Sequence, residues 1–266
     1  MRPHHKIVLI YLLFGALWIF YSDMLAERLF STSKELTFVQ NIKGWLYVAI
    51  TGCFLYALIK KAIDEKTQIN QKLIESYEQT IRGWIRVMDL RHEETKDHTV
   101  RVAKMTVELS KYLGVTDKQE LKRIGTSATL HDVGKIGIPD AILTKPGPLT
   151  QEEFDVIKTH PQIAFDILSD IEYLKNCIDI PYCHHEKWAG GGYPRGISGD
   201  AIPLAARIFA VIDVWDALSH ARVYKEAWPE SKVLEYIQAQ SGKQFDPHVV
   251  NVFIQHYKSI TQCLAT

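Results

Sequence analysis

Histidines and acidic residues recur through the middle of this chain at spacings that could gather them around metal ions. In RHEETKDH, Glu94 and His98 stand four apart, so on a helix a carboxylate oxygen and an imidazole nitrogen project from one face. Alone, such a pair more often marks a solvated helix face than a metal site. In LHDVGK, His131 and Asp132 close an apolar helix carrying Ile124, Ala128 and Leu130, ahead of Gly134 as its C-terminal glycine. Adjacent helical residues point about 100 degrees apart. That suits two positions on one metal, or one metal and a neighbour bridged by the two oxygens of Asp132. Lys135, on the following turn, can offer an ammonium to a phosphate. His160, in IKTHPQIAFDIL, ends the helix opened at Thr150, with Pro161 starting the next element, and His184 and His185 follow Ile180 and Pro181. Asp213 lies in the apolar run IPLAARIFAVIDVWDAL, where a buried carboxylate is costly without a cationic or metal partner.

Glu94, His98, His131, Asp132, His160, His184, His185 and Asp213 exceed what one metal takes and suggest two or three metals sharing carboxylates. Such centres suit phosphodiester hydrolysis, which then needs no protein nucleophile: an activated hydroxide attacks phosphorus, Lys135 helps neutralise developing charge, and an ester oxygen leaves. In HHEKWAGGGYPRG the glycines let backbone and Tyr193 approach the centre or its substrate, and Pro194 stiffens the exit.

The ordered stretches ETKDH, HDVGK, KTHP, HHEKWAGGGYPR, IDVWDAL and RVYK, with a closing FDPHVV, resemble the HD-GYP family, a subgroup of the HD phosphohydrolase superfamily, from about residue 78 to about 255. The resemblance implies an all-helical domain with a di- or trinuclear centre, usually of iron or manganese, that hydrolyses the bacterial second messenger cyclic di-GMP to pGpG or on to GMP. By position it makes His98, His131, Asp132, His160, His184, His185 and Asp213 metal ligands and Glu94 the carboxylate of members holding a third metal. It also has Lys135 contacting phosphate, Asp216 supporting the centre, and Arg222 and Lys225 holding the dinucleotide. Ala189 and Gly191 depart from the family's usual Asp and Thr or Ser, and Ala221 and Val223 from its usual Asp and Pro. None is a ligand. A lost supporting carboxylate at Ala189 would weaken ligand orientation and rate, and the competing reading is a weakened module that binds nucleotide or a partner protein without turnover. A third reading keeps the enzyme and changes the substrate to another cyclic dinucleotide or nucleotide.

The elements that must position these residues follow from composition and pattern. The 266 residues are 47% hydrophobic, enough for a sizeable core, and their formal net charge is zero, which suggests no nucleic-acid polymer as partner. Cys53, Cys177, Cys183 and Cys263 form no C-x-x-C pair and no disulfide framework. Residues 7–22 and 44–59 carry no charged side chain and have aromatic residues and lysines toward their ends, so residues 1–60 read as a membrane anchor of two spans. Arg2 and Lys6 before the first run, and Lys60, Lys61 and Lys66 after the second, place both termini and the catalytic domain in the cytoplasm, at the bacterial inner membrane.

From Lys60 to about Leu113 the pattern is helical, and Ile74, Tyr77, Ile81, Trp84 and Met88 alternate spacings of three and four. Residues 61–80 therefore read as a helical linker that either pairs two chains in a coiled coil, as a homodimer, or packs on its own domain. The domain spans 81–256 and a tail 257–266. Gly114 ends a helix, Thr116 to Gln119 and Thr150 to Glu153 read as capping boxes, and Asp246-Pro247 reads as an N-cap with an N1 proline. No alternating strand pattern of useful length occurs, which predicts an all-α domain.

Overall fold

A computed structural model of the chain describes residues 3–30, 32–92, 98–221 and 226–263. Among them the only β pairing is an isolated bridge between Ser241 and Phe245, so the fold is all-α as the pattern predicts. The chain divides into two units, residues up to Thr80 and residues from Ile81.

The first unit contains α1 (Pro3–Leu29) and most of α2 (Ser33–His92). At 27 and 60 residues, these helices run about 40 Å and about 90 Å, well past the charge-free stretches, because neither Gly nor Pro interrupts residues 60–80. They run antiparallel: Phe14 stacks toward Phe54, Trp18 tilts against Tyr47, and Asp23 pairs with Lys43. The apolar side chains on both helices are largely uncovered, among them Leu12, Phe20, Trp45, Val48 and Ile59. Both helices are long and apolar enough to cross a membrane by length and composition, although a core helix or a signal sequence passes the same test.

The second unit surrounds α9 (Leu204–Ser219), whose apolar residues lie on every side. Ile208, Phe209, Val211, Ile212 and Trp215 are buried together with Val102, Met105 and Leu109 of α3 (His98–Tyr112) and Ile124 and Ala128 of α4 (Lys118–Thr129). A helix that is apolar all round belongs at a centre, and α9 occupies it. From α10 (Glu230–Ala239) and α11 (Pro247–Gln262) come Val233, Ile237, Val249, Val250 and Phe253. Each large side chain so enclosed contributes about 1.5–3 kcal/mol. A smaller cluster joins Ile81 of α2, Leu130, Leu168 of α7 (His160–Ser169) and Leu174. Between α4 and α7 lie a 3-10 turn (Val133–Gly137), α5 (Asp140–Leu143) and α6 (Gln151–Ile157); α8 (Asp179–Cys183) precedes the glycine-rich loop.

Several sequence expectations change here. The helical pattern from Lys60 to Leu113 is carried by two helices, α2 and α3, with residues 93–97 outside the described ones. Of the expected seam, Ile81 is buried against its own domain while Tyr77 and Trp84 are exposed, and the side chain of Met88 lies outside the described residues. The cap of α4 is Asp117, whose carboxylate accepts from the Glu120 N–H, one residue later than the expected box at Thr116. The box at Thr150 and Glu153 forms as expected, as does the Asp246 cap with Pro247 behind it. Gly114, at φ 89°, ends α3. Residues 257–262 are no tail, because α11 runs through them and Ile260 is fully buried. Ile260→Ala should therefore lower stability by about 2–5 kcal/mol, read as a fall in the denaturant midpoint of the helical circular-dichroism signal.

Candidate metal centre

The site lies where α3, α9, α7, α8 and the turn after α4 meet. α4 ends at Thr129 with Leu130 as its cap, so His131 and Asp132 stand in the following turn and not on the helix. Gly134 is no C-terminal glycine either. It lies in the 3-10 turn, and a Cβ there would come within 1.9 Å of the His160 carbonyl oxygen. That contact brings His131 and Asp132 against the start of α7. His160 is the first residue of α7 and not the last of α6, since α6 stops at Ile157 and Pro161 takes the N-terminal proline position behind it.

Three histidines are oriented in one way. His131 Nδ1 lies 2.9 Å from the Ala128 carbonyl, His160 Nδ1 2.8 Å from that of Ile157, and His184 Nδ1 2.9 Å from that of Ile180. A carbonyl can only accept, so each ring carries a proton on Nδ1, and in the neutral ring Nε2 keeps a lone pair. The three Nε2 atoms converge on Asp132. Its Oδ1 is 3.4 Å from His160 Nε2 and 3.9 Å from His184 Nε2, while its Oδ2 is 3.0 Å from His131 Nε2 and 2.7 Å from Lys135 Nζ. The two oxygens thus face different histidines.

His98 is held differently. Its Nδ1 donates to Asp216 Oδ2 at 2.7 Å, and its Nε2 lies 3.5 Å from Asp213 Oδ1. Asp213 is only half-buried; the carboxylate buried on α9 is Asp216, one turn on. His185 stacks on Tyr193 at 4.6 Å and lies edge-on to His160 at 5.0 Å. Two sets of three result: His160, His184 and His185, and His98, His131 and Asp213. Within each set the possible ligand atoms lie within 4.8 Å of one another.

Protonation suits cation binding. Burial pushes His160 below the usual imidazole range; burial and the nearby His185 push His184 well below it, and His185 is pushed down to about 3 by burial and His160. Neutral imidazole is the form that ligates. Burial opposes ionisation of Asp132, but Lys135 and His131 outweigh it and hold the carboxyl well below its usual range. Two facing lone pairs, His160 Nε2 and His184 Nε2 at 3.4 Å, lack a proton to share, and a cation between them would satisfy both. The donor set therefore fits metal ions, with three imidazole nitrogens in the first set and two imidazoles and a carboxylate in the second.

The glycine-rich loop is folded back over the site. A Cβ on Gly192 would meet the Glu186 Cα at 2.5 Å and the His185 carbonyl at 2.6 Å. Glu186 is buried, and its Oε1 accepts from the Arg195 and Gly196 amides at 2.8 and 3.1 Å. Sequence reasoning passed over this residue, although an acidic residue beside a histidine pair and ahead of glycines could have flagged it. It likewise passed over Arg101, which forks onto Asp216 with Nε to Oδ1 at 2.7 Å and Nη2 to Oδ2 at 2.8 Å. Ala189 and Gly191 stand exposed on the outer loop, as does Ala221 beyond α9. Glu94, Val223, Arg222 and Lys225 lie outside the described residues.

A family model described as HD domain matches residues 70–249, and the chain belongs to the HD domain family. Among curated relatives it is 42% identical over 178 residues to a cyclic di-GMP phosphodiesterase of Vibrio cholerae, covering 62% of this chain and 36% of that one. It is 38% identical over 234 residues to a cyclic di-GMP phosphodiesterase of Thermotoga maritima, covering 85% and 63%. To the 3′3′-cGAMP-specific phosphodiesterase 2 of Vibrio cholerae it is 35% identical over 195 residues, covering 73% and 37%. The chain thus spans less than two thirds of the length of these relatives.

Gly134→Ala should force the 3-10 turn away from α7, destabilise the domain by about 3 kcal/mol or more, and weaken metal uptake along with it. Thermal unfolding with and without added Mn²⁺ checks both effects.

Proposed function

We propose that this chain is a metal-dependent phosphodiesterase of the HD-GYP type that hydrolyses cyclic di-GMP to pGpG or GMP, anchored by its two N-terminal helices in a bacterial inner membrane with the catalytic domain in the cytoplasm. The observation that carries this is Asp132 standing between two donor sets, Oδ1 toward His160 and His184, Oδ2 toward His131. His160, His184, His185 and Asp132 would hold one ion, and His98, His131, Asp213 and Asp132 a second. Glu94 is the residue assigned to a third. Iron and manganese suit this mixture of imidazole and carboxylate. Bound there, they supply Lewis acidity toward a phosphoryl oxygen and an activated water.

The chain's own groups do the rest. Lys135 keeps its ammonium at Asp132, where a phosphate oxygen gaining charge can take a hydrogen bond from it. Burial raises the Tyr193 phenol above its usual range, so it stays protonated and can donate to an anionic ligand from its place on the His185 ring. Arg222 and Lys225 are assigned to the dinucleotide phosphates and bases. Ala189 and Gly191 are exposed, and the donor sets are complete without them, which supports turnover over a module that only binds. The curated relatives bear names for both cyclic di-GMP and 3′3′-cGAMP; we assign the symmetric dinucleotide, which the two phosphodiesterases quoted at 38 and 42% identity are named for. Membrane anchoring is supported by the uncovered apolar faces of α1 and α2, which would otherwise meet water at about 25 cal/mol per Å².

The full chain in detergent, loaded anaerobically with Fe²⁺ or Mn²⁺, should convert cyclic di-GMP to pGpG or GMP faster than it converts 3′3′-cGAMP, as read by product chromatography. Saturable binding without product in either metal would favour the receptor module, and faster turnover of 3′3′-cGAMP would reassign the substrate. His131→Ala should reduce turnover to background. Membranes stripped with alkaline carbonate should keep the chain; its release would mean that α1 and α2 do not span.

A further inference from the structure

We propose that Arg101 is a positioning residue for one of the two metal positions, the one formed by His98, His131 and Asp213, and that it acts through Asp216. The inference rests on the metal reading above and adds a residue and a selectivity that the reading lacks. It starts from helical spacing. His98 and Arg101 are three apart on α3, and Asp213 and Asp216 are three apart on α9, so each helix presents a pair of residues one turn apart. Where the two helices meet, the pairs interlock: His98 faces Asp213 with Nε2 and Asp216 with Nδ1, and Arg101 forks onto both oxygens of Asp216.

Asp216 is 1% exposed, and a carboxylate at that depth stays ionised only with close cationic or donor partners. Burial acts to raise its pKa, yet the Arg101 and His98 bonds hold it below the usual range. The planar guanidinium engages both oxygens at once, so it sets the carboxylate's rotation as well as its charge. The remaining neighbour, His220, reaches Oδ1 at 3.2 Å from a half-exposed position. With its rotation set, Asp216 accepts a hydrogen bond from His98 Nδ1–H, which leaves Nε2 aimed toward Asp213.

The other oriented histidines need no such help. His131, His160 and His184 are held by carbonyls three or four residues upstream, while His98 is held by a side chain 118 residues away in sequence. Loss of Arg101 should therefore disturb one metal position and spare the set of His160, His184 and His185.

The test is calorimetric titration of Mn²⁺ into the metal-free full chain in detergent, with far-UV circular dichroism to establish folding. The wild type should take up at least two equivalents, one at each set of three. Arg101→Gln should weaken one of them by about 10–100-fold and leave the other within about twofold. Arg101→Lys, which keeps the charge but not the fork, should fall between; it carries the test if Arg101→Gln does not fold. His98→Ala should lose the same equivalent, and adding Arg101→Gln to it should cost no further affinity, because the two act as one unit. Two unchanged equivalents in a folded variant, or a parallel fall in both, would overturn the proposal. A wild type that binds no Mn²⁺ would instead sink the metal reading on which it rests.

Discussion

The arrangement depends on crowding neutral lone pairs around one ionised carboxylate. Three imidazoles donate hydrogen bonds from Nδ1–H to carbonyls and turn Nε2 inward, bringing two of those nitrogens to 3.4 Å with no proton between them. Such a geometry is unfavourable by itself, because buried polar atoms need partners. Lys135 supplies one positive charge at Asp132 Oδ2, but Oδ1 and the facing His160 and His184 nitrogens still call for a cation. The fold must therefore be rigid enough to hold a cluster that its own charges only partly satisfy.

Rigidity comes from three close approaches. The 3-10 turn lies against α7 through Gly134, the loop lies against His185 and Glu186 through Gly192, and α9 is enclosed by helices on all sides. At the first two a side chain of any size would collide with backbone, so these glycines act through absence of volume, at backbone angles that other residues could adopt. Gly191 is the contrasting case. Its φ of 72° favours glycine with open space around it, which makes its departure from the family's usual Thr or Ser one that the backbone accommodates.

Much of the candidate ligand set was legible because metal chemistry restricts residue types and helices restrict spacing: the HD pair, the HH pair and the acids on α9 could be named from types and order alone. What could not be read was which turn each side chain occupies. K-T-H-P read as the end of a helix, yet proline favours a helix start and cannot follow α6 inward, so His160 moved to the first turn of α7. Asp213, placed in an apolar run, read as the buried acid; α9 turns it toward the cleft and buries Asp216. Arg101 escaped because its partner is 115 residues distant, and a pairing across two helices leaves no local trace. The spacing around Ile81 fits a seam between two chains as well as a face packed on its own domain, because a seam spacing describes only a face. Leu130, Leu168 and Leu174 cover that residue within the same chain.

The loop's departures bear on the rim more than on the metals. The Trp188 and Ala189 amides donate to the Gln244 and Lys243 carbonyls at 3.1 and 2.8 Å, and Arg207 lies over the Trp188 ring while pairing with Asp246 at the cap of α11. Position 189 is thus anchored by its backbone, with its side chain exposed. A carboxylate there would stand at the loop's outer edge, whereas His184 and His185 are fixed from inside, by the Ile180 carbonyl and the Tyr193 ring. Replacing it with alanine removes negative charge from the face that an anionic dinucleotide would meet, and leaves the orientation of the histidines to bonds in which residue 189 has no part.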